Sequence, residues 1–184
     1  MNLPDRINGP RIHLRVAHNL APQAFFDLVM ASKKEIIAFL PWAEKYASVT
    51  DAAASIARFK TLWDEGTAFT YAIYNHDNVL VGVVDWRPKK DWWGTIGYWL
   101  GTPYTGRGYM AAAVDTMVTD FFKRGIHRAV IQCDTRNQPS AAVAKRAGFT
   151  YEGHLRQDRQ NEDGSFHDSL QFSRLATDPY PNGE

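Results

Sequence analysis

The sequence predicts an α+β protein in which helices flank one mixed, mostly antiparallel sheet of about seven strands. Two observations support this fold class. Short apolar segments bounded by turn residues alternate with longer segments that carry apolar residues at helical spacing. Their order is strand, helices, three strands, helix, strand, helix and two strands. A chain of 184 residues suits one domain, so we predict a single domain over residues 1–184 with a frayed tail at 176–184.

The N-terminal part is predicted to form a strand and three helices. Residues 11–16 alternate apolar and polar side chains, as a half-buried strand does. Two short helices are predicted at 22–31 and 33–39, the first opening on a proline that suits a first helical turn. A longer helix begins near Thr50 and ends before Gly66, because glycine often follows a helix in the left-handed conformation.

The middle of the chain is predicted to form an antiparallel meander. Residues 68–74, 79–86 and 95–100 are rich in β-branched and aromatic side chains, which favour strands. Asn75–Asn78 supplies the turn between the first two strands. We interpret the polar segment 87–93 as a loop between the second and the third.

The C-terminal part returns to the sheet through a long helix. Apolar residues at helical spacing predict a helix at 110–122, followed by a strand at 127–133. Because a helix connects strand 95–100 to strand 127–133, these two strands are predicted to be parallel. The remaining predicted elements are a helix at 138–147 and strands at 149–155 and 166–175.

Composition and charge argue against several classes of function. A net charge of +1 gives no broad field for nucleic acid or a membrane surface, and no apolar run reaches transmembrane length. The single cysteine, Cys133, cannot form an internal disulfide, and no signal peptide is evident, so we expect a cytoplasmic protein. The six histidines show no metal-ligand spacing, so no metal is expected.

The segment between the third meander strand and the long helix has the composition of an anion site. Gly106, Arg107 and Gly108 stand just before the helix, whose first turn carries unpaired N–H groups. Glycine lets the backbone approach a phosphate closely. A plain surface turn, a dinucleotide fingerprint (Gly106–Ala111 has its Gly-x-Gly-x-x-Ala form) and a coenzyme A loop are three interpretations. The fingerprint fits poorly, because five residues separate Leu100 from Gly106.

The same segment resembles the acetyl-CoA loop of the GNAT N-acetyltransferases, whose pattern is Gln/Arg-x-x-Gly-x-Gly/Ala. Thr105 and Met110 occupy the first and last positions of that pattern and depart from it. Ile-Gly-Tyr-Trp-Leu ahead of Gly-x-Gly-Tyr-Met is similar to the RimJ/RimL group of ribosomal-protein N-terminal acetyltransferases. Further matches in the same order are Leu40-Pro41-Trp42, Asn137-x-x-Ser140, Ala147-Gly148-Phe149 and His167-Asp168.

The resemblance implies a sheet that splays between strands 4 and 5, with acetyl-CoA held in the opening. It implies a small oxyanion site near the backbone of Leu100 and a pantetheine contact from Asn137. The residues expected at the pyrophosphate are Thr105, Gly106, Arg107, Gly108, Tyr109 and Met110. It further implies that Ser140 gives a proton to the departing sulfur, although Ser140 as a helix-cap residue remains the structural alternative.

The general base is left open by the sequence. Close relatives often carry Glu where this chain has Thr95, and others carry an acid in the loop after the sixth strand. The candidates in this chain are Asp158, Glu152 and Asp85, each of which also suits a solvated or structural role. A free α-amino group has an ordinary pKa near 8 and a lysine side chain one near 10.4, so the missing strong base favours α-amines.

The predicted function is therefore direct transfer of acetyl from acetyl-CoA to a primary amine in a ternary complex. The expected acceptor is the N-terminal α-amine of a protein or peptide, with a ribosomal protein as the family-typical case. One alternative is a small-molecule amine acetyltransferase acting on an antibiotic, a polyamine or an aminoacyl compound. Another is a non-catalytic acyl-CoA-binding regulatory module. A homodimer is left open, and neither nucleic acid nor a membrane is expected as a partner.

Overall fold

The computed structural model describes residues 3–161 and 163–179. The strands are β1 (Arg6–Asn8), β2 (Ile12–Val16), β3 (Phe69–Asn75), β4 (Leu80–Lys90), β5 (Trp93–Leu100), β6 (Arg128–Asp134), β7 (Thr150–Gln160) and β8 (Phe166–Leu175). The α-helices are α1 (Pro22–Met30), α2 (Lys33–Ile36), α3 (Val49–Asp64), α4 (Tyr109–Lys123) and α5 (Gln138–Arg146). The strands form one sheet in the order β1-β2-β3-β4-β5-β6-β8-β7.

The predicted α+β class and the mixed, mostly antiparallel sheet are confirmed. Among the described residues the sheet has eight strands, one more than the expected seven or so. The extra strand, β1, contains three residues and pairs antiparallel with β2. Three residues are too few to show an alternating pattern, which is why the sequence did not reveal it.

The interpretation of residues 87–93 as a loop is wrong. β4 continues to Lys90 and β5 begins at Trp93, so the two strands form one hairpin with a two-residue turn. Arg87 pairs with Thr95, and Pro88 pairs with Gly94. The polar side chains at the end of β4 are partly or largely exposed, so their polarity is compatible with a strand.

The predicted ends of the long helices agree closely with the structure. Ser48 and Asp51 form a capping box at the start of α3, where the Ser48 N–H donates to Asp51 Oδ2 at 2.8 Å. Gly66 follows α3 with φ of +69°, and Gly125 follows α4 with φ of +95°. Part of the predicted frayed tail is held by a hydrogen bond from Ala176 N to His127 O at 2.8 Å. Residues 180–184 lie outside the described residues.

The sheet separates two apolar clusters. On one face, here called the α4 face, α4 and α5 cover a cluster that includes Trp86, Met117 and Phe121. On the other, the α1–α3 face, Phe25 and Trp99 belong to the cluster formed with α1 and α3. Each such large buried side chain contributes roughly 1.5–3 kcal/mol, so both layers hold the sheet firmly.

The opening between β5 and β6 is the feature that positions a site. These two strands are parallel, as predicted, but they pair only at Trp93 with Arg128, Gly94 with Ala129, and Thr95 with Val130. Residues 96–100 of β5 and 131–134 of β6 lie beyond the last pair. We call the space between these two segments the gap, and it is the predicted splay between the fourth and fifth strands.

Candidate active site

Three polar side chains from different elements meet at the gap. Tyr98 of β5 has its hydroxyl 2.9 Å from Ser140 Oγ, and the same hydroxyl donates to the Ser140 carbonyl oxygen at 3.2 Å. The thiol of Cys133, the penultimate residue of β6, lies beside the Ser140 hydroxyl. Burial raises the pKa of the Tyr98 hydroxyl and of the Cys133 thiol. Both groups therefore keep their protons at neutral pH.

Asn137, and not Ser140, caps helix α5. The Asn137 Oδ1 accepts a hydrogen bond from the Ser140 backbone N–H at 3.1 Å. This cap leaves the Ser140 hydroxyl for its contacts at the gap. Asn137 Nδ2 makes no hydrogen bond within the described part of the chain, so it is available to a ligand.

The glycine loop has the geometry that an anion site needs. Gly106 and Gly108 have φ of +75° and +77°, a conformation that most side chains disfavour. Gly108 is the N-cap residue of α4, and no side chain caps this helix. Within the described residues, the N–H groups of Gly106, Arg107 and Gly108 donate to no backbone oxygen. Together with the first turn of α4, these groups can surround a phosphate.

The other residues predicted for this loop contribute in different ways. Met110 is buried in the cluster under α4, so only its backbone can face a ligand. Thr105 Oγ1 donates to Thr102 O at 2.9 Å and holds the turn that precedes the glycines. Arg107 is exposed, and Tyr109 is partly buried at the start of α4. Leu100 closes β5 at the edge of the gap.

The structure adds Arg11 to this loop. A Cβ built on Gly108 would lie 3.2 Å from Arg11 Nη1, so the Arg11 guanidinium borders the loop. In the sequence Arg11 only opens the strand that became β2. No local pattern indicates that a residue so distant in the chain would reach the glycines.

Glu152 is committed to an ion pair with Arg128, the first residue of β6. Its carboxylate accepts from Arg128 Nη1 at 2.7 Å and from Ser173 Oγ at 2.6 Å. The Arg128 guanidinium, with smaller contributions from Ser173 and Gln171, holds the pKa of Glu152 down at about 2 although burial raises it. Gln171 Nε2 also donates to Glu152 at 3.0 Å, so the carboxylate lies over β8. In the order of the sheet β8 is on the side of β6 away from β5, so β6 and β8 separate Glu152 from the gap.

The ion pair of Glu152 predicts a pH-dependent contribution to stability. Because its folded pKa lies below the ordinary value of 4.5, the contribution is complete above about pH 5. It is lost as pH falls through about 2. We expect Glu152→Gln to lower the free energy of unfolding by about 1–2 kcal/mol at pH 7, allowing for solvent screening.

Urea unfolding of both proteins at pH 7, 5 and 3 measures this effect. The difference between them should shrink below pH 4.5, while turnover at pH 7 stays near wild type. An equal difference at every pH would contradict the ion-pair explanation.

Asp158 lies within a strand and not in a loop. β7 continues to Gln160, so the expected loop after the sixth predicted strand starts later than the sequence suggested. The pairing of β7 with β8 shifts between Leu155 and Arg159, and Gln157 has φ of +48°. Asp158 is exposed at this irregularity, and no hydrogen bond connects it to Ser140 in the described residues. Its role as a base stays a prediction.

Residues 3–161 and 163–179 contain neither a metal-binding cluster nor a membrane-spanning helix. No group of three or more His, Cys, Asp or Glu side chains there could hold a metal ion. No helix there is both long enough and apolar enough to cross a bilayer.

Comparison with known proteins gives consistent matches. Residues 11–150 match the family described as "Acetyltransferase (GNAT) domain". The chain is 28% identical over 149 residues to the ribosomal-protein-serine acetyltransferase of Escherichia coli (strain K12), covering 79% of this chain and 82% of that protein.

Solved structures agree with the sequence matches. RimL, a ribosomal L7/L12 alpha-N-protein acetyltransferase in complex with coenzyme A, matches with a TM-score of 0.81 and 28% identity over 92% of this chain and 97% of that chain. The microcin C7 self-immunity acetyltransferase MccE, in complex with acetyl-CoA and AMP, matches with a TM-score of 0.82 and 25% identity. That match covers 90% of this chain and 93% of MccE.

Proposed function

The chain belongs to the GNAT acetyltransferase family, and from this premise we propose that it transfers acetyl from acetyl-CoA to the N-terminal α-amine of a protein. Its activity as an N-acetyltransferase follows from the family and from the relatives that it matches. A ribosomal protein is the favoured acceptor, because the E. coli relative and RimL are both named for that substrate class.

The observation that carries the proposal is the gap, with the glycine loop at one end and the Ser140 cluster at its side. The pyrophosphate of acetyl-CoA would lie on the N–H groups of residues 106–110. From there the pantetheine arm would enter the gap, where Asn137 Nδ2 can donate to one of its amides. The thioester would then lie beside Ser140 and Cys133. In the RimL complex the coenzyme is joined by a disulfide to a cysteine, which is consistent with a thiol beside the coenzyme sulfur.

The proposed chemistry needs one proton donor at the sulfur. The neutral amine attacks the thioester carbonyl, a carbon–nitrogen bond forms, and the carbon–sulfur bond breaks. Ser140 gives its proton to the leaving thiolate, and Tyr98 holds the Ser140 hydroxyl in place at 2.9 Å. As the amide forms, the attacking nitrogen loses one of its two protons. That proton restores the Ser140 hydroxyl.

The preference for α-amines has a simple physical reason. At pH 7 roughly a tenth of an ordinary α-amine is already neutral, against fewer than one lysine side chain in a thousand. Removing the proton from a lysine therefore costs about 3 kcal/mol more. This chain has Thr95 where close relatives often carry Glu, and a site without that glutamate favours the less basic amine as acceptor.

A small-molecule amine is the second candidate acceptor. The match to MccE supports it, since a self-immunity acetyltransferase shares this fold at 25% identity. A non-catalytic acyl-CoA-binding role is the third candidate, and measurable turnover of any amine distinguishes both enzymes from it.

A homodimer and a single domain over 1–184 stay predictions. Light scattering tests the homodimer, and limited proteolysis tests the single domain.

A peptide panel tests the proposed acceptor. We expect thiol release from acetyl-CoA with serine-initiated peptides, and at least about 100-fold lower kcat/KM with the same peptides carrying a blocked N-terminus and an internal lysine. Spermidine and an aminoacyl adenylate analogue complete the panel. Turnover of these small amines without turnover of free peptide N-termini would replace the proposal with the second candidate.

A further inference from the structure

A carboxylate lies across β5 from the Ser140 cluster. Asp85 of β4 stands opposite Gly97 of β5 and Thr70 of β3 in the register of the sheet. Side chains alternate between faces along a strand, and Trp99 packs into the cluster on the α1–α3 face. Asp85 and Gly97 therefore face the α1–α3 side, whereas Tyr98 reaches Ser140 from the α4 face.

The Asp85 carboxylate lies over the backbone of β5. A Cβ built on Gly97 would come within 2.9 Å of Asp85 Oδ2 and 3.0 Å of Oδ1. The carboxylate thus occupies the space where a side chain at Gly97 would stand. Gly97 is only two residues beyond Thr95, the last residue of β5 that pairs with β6. The carboxylate is therefore about one strand spacing, roughly 5 Å, from the gap.

The contacts of Asp85 leave one oxygen poorly satisfied. Arg87 Nη2 donates to Oδ2 at 3.1 Å. Arg87 Nε lies 2.9 Å from Oδ1 without the alignment of a hydrogen bond, and Oδ1 has no other partner within the described residues. The Asp85 side chain is 16% exposed, while that of Arg87 is 59% exposed and can move away into solvent.

The surroundings of Asp85 suit a group that exchanges a proton. Burial raises its pKa, and Arg87 on the same strand opposes that rise. On the neighbouring strands, the residues that pair with Asp85 are Thr70 and Gly97, which carry no charge. Thr95 pairs with Arg87, and its hydroxyl does not exchange a proton at neutral pH. A base must reach its proton directly or through one water, and 5 Å allows the second route.

We propose that Asp85 is the general base, which takes a proton from the acceptor ammonium as it enters the gap from the α1–α3 face. This inference builds on the proposed function. The amine and the leaving thiolate then exchange protons on opposite faces of the sheet, with Asp85 on one side and Ser140 on the other. Asp85 also supplies a carboxylate that Thr95 cannot, from a position on β4 two residues away from Arg87, the partner of Thr95.

The proton balance is complete with these groups. The ammonium gives one proton to Asp85, directly or through water, and Asp85 later releases it to solvent. The neutral nitrogen then forms its bond to the thioester carbon as the carbon–sulfur bond breaks. The thiolate takes a proton from Ser140, and the second proton from the nitrogen restores Ser140. One proton is released overall for each amide formed.

The test is the pH profile of kcat/KM for wild type and Asp85→Asn between pH 6 and pH 8. The acceptor is the serine-initiated peptide. If the wild-type protein does not acetylate that peptide, the acceptor is the amine of the panel that it does acetylate. Wild type should be nearly flat across this range, because a base in the site lets the enzyme use the ammonium form of the acceptor. Asp85→Asn should depend on free amine, and so rise about tenfold per pH unit, with a loss of at least about 100-fold at pH 6.

Matched controls distinguish the loss of a general base from a loss of structure. Asp91→Asn makes the same change in the turn of the β4–β5 hairpin and should keep the wild-type profile. Calorimetry should give an unchanged acetyl-CoA affinity for Asp85→Asn, and Asp85→Glu should retain the flat profile. If Asp85→Asn does not fold, the pH profile of the wild-type protein tests the inference by itself. A tenfold rise of its kcat/KM per pH unit overturns the inference, and a flat profile supports it.

Each outcome has a defined meaning. An Asp85→Asn profile equal to that of wild type, or one lowered equally at every pH, overturns the inference and leaves the proposed function intact. Turnover of small amines alone overturns the α-amine proposal, while the same pH comparison still decides on Asp85. A wild-type protein that accepts no amine overturns both.

Discussion

We expect Gly108→Asp to lower the affinity for acetyl-CoA by at least about 100-fold while the protein stays folded. Gly108 caps α4 at the point where the unpaired N–H groups of the loop meet those of the helix. A carboxylate there would repel the pyrophosphate and occupy its space. Each charge-assisted hydrogen bond contributes roughly 1.5–3 kcal/mol, and losing two weakens binding by about 100-fold or more.

The structure also defines what else this substitution does. Gly108 has φ of +77°, so any side chain there brings backbone strain of about 1–2 kcal/mol, least for Asp and Asn. The new carboxylate would also pair with Arg11, whose Nη1 is 3.2 Å from the position of its Cβ. That pairing would neutralise the positive charge that Arg11 places beside the loop and so add to the loss of affinity.

Gly108→Asn is the matched control. It carries the same strain and nearly the same size as Asp but no charge, so it should bind acetyl-CoA more tightly than the Asp variant. Calorimetry with acetyl-CoA and circular dichroism of all three proteins make the comparison. Near wild-type affinity in the Asp variant would show that this loop does not hold the pyrophosphate.

We expect Ser140→Ala to lower kcat by about 100- to 10,000-fold with little change in acetyl-CoA affinity. The range is the usual contribution of a positioned proton donor. The substitution spares the helix cap, because Asn137 Oδ1 accepts from the backbone N–H of residue 140 and not from its hydroxyl. Loss of turnover would therefore report on chemistry and not on unfolding of α5.

Tyr98→Phe is a milder change in the same cluster, and its effect on kcat can be compared with that of Ser140→Ala. It removes only the hydroxyl that stands 2.9 Å from Ser140 Oγ, so kcat should fall less than in Ser140→Ala. Single-turnover measurements with saturating acetyl-CoA separate chemistry from product release. An unchanged kcat in Ser140→Ala would remove the proton donor from the proposed mechanism.

The sequence predicted best what neighbouring residues determine. The glycine loop, the ends of α3 and α4 and the parallel pairing of β5 with β6 all follow from local signals: left-handed glycines, capping residues and a helical connection. The placement of Ser140 after β6 could also be predicted, because its motif is continuous.

What the sequence could not show depends on pairing between distant segments. β1 exists only because it pairs with β2, and the polar end of β4 is a strand only because β5 pairs with it. Arg11 reaches Gly108 from the far end of the chain. Tyr98 belongs to a motif that the sequence did show, but its contact with Ser140 requires the geometry of the gap.

Asp85 and Glu152 show how structure separates similar candidates. Both are acids that could be a base on sequence alone. Glu152 is ion-paired with Arg128, with a pKa of about 2, and β6 and β8 separate it from the gap. Asp85 is buried against Gly97, next to the gap. The strand register and the side-chain contacts, which a single sequence does not display, distinguish the two.

The most direct test of the central claim is to identify which nitrogen atoms receive the acetyl group. Purified protein would be incubated with isotopically labelled acetyl-CoA and a bacterial proteome whose N-termini are free, with Gly108→Asp as the control for transfer without enzyme. Mass spectrometry should find the label on protein N-terminal α-amines, with ribosomal proteins foremost. Label confined to lysine side chains or to small molecules would contradict the account.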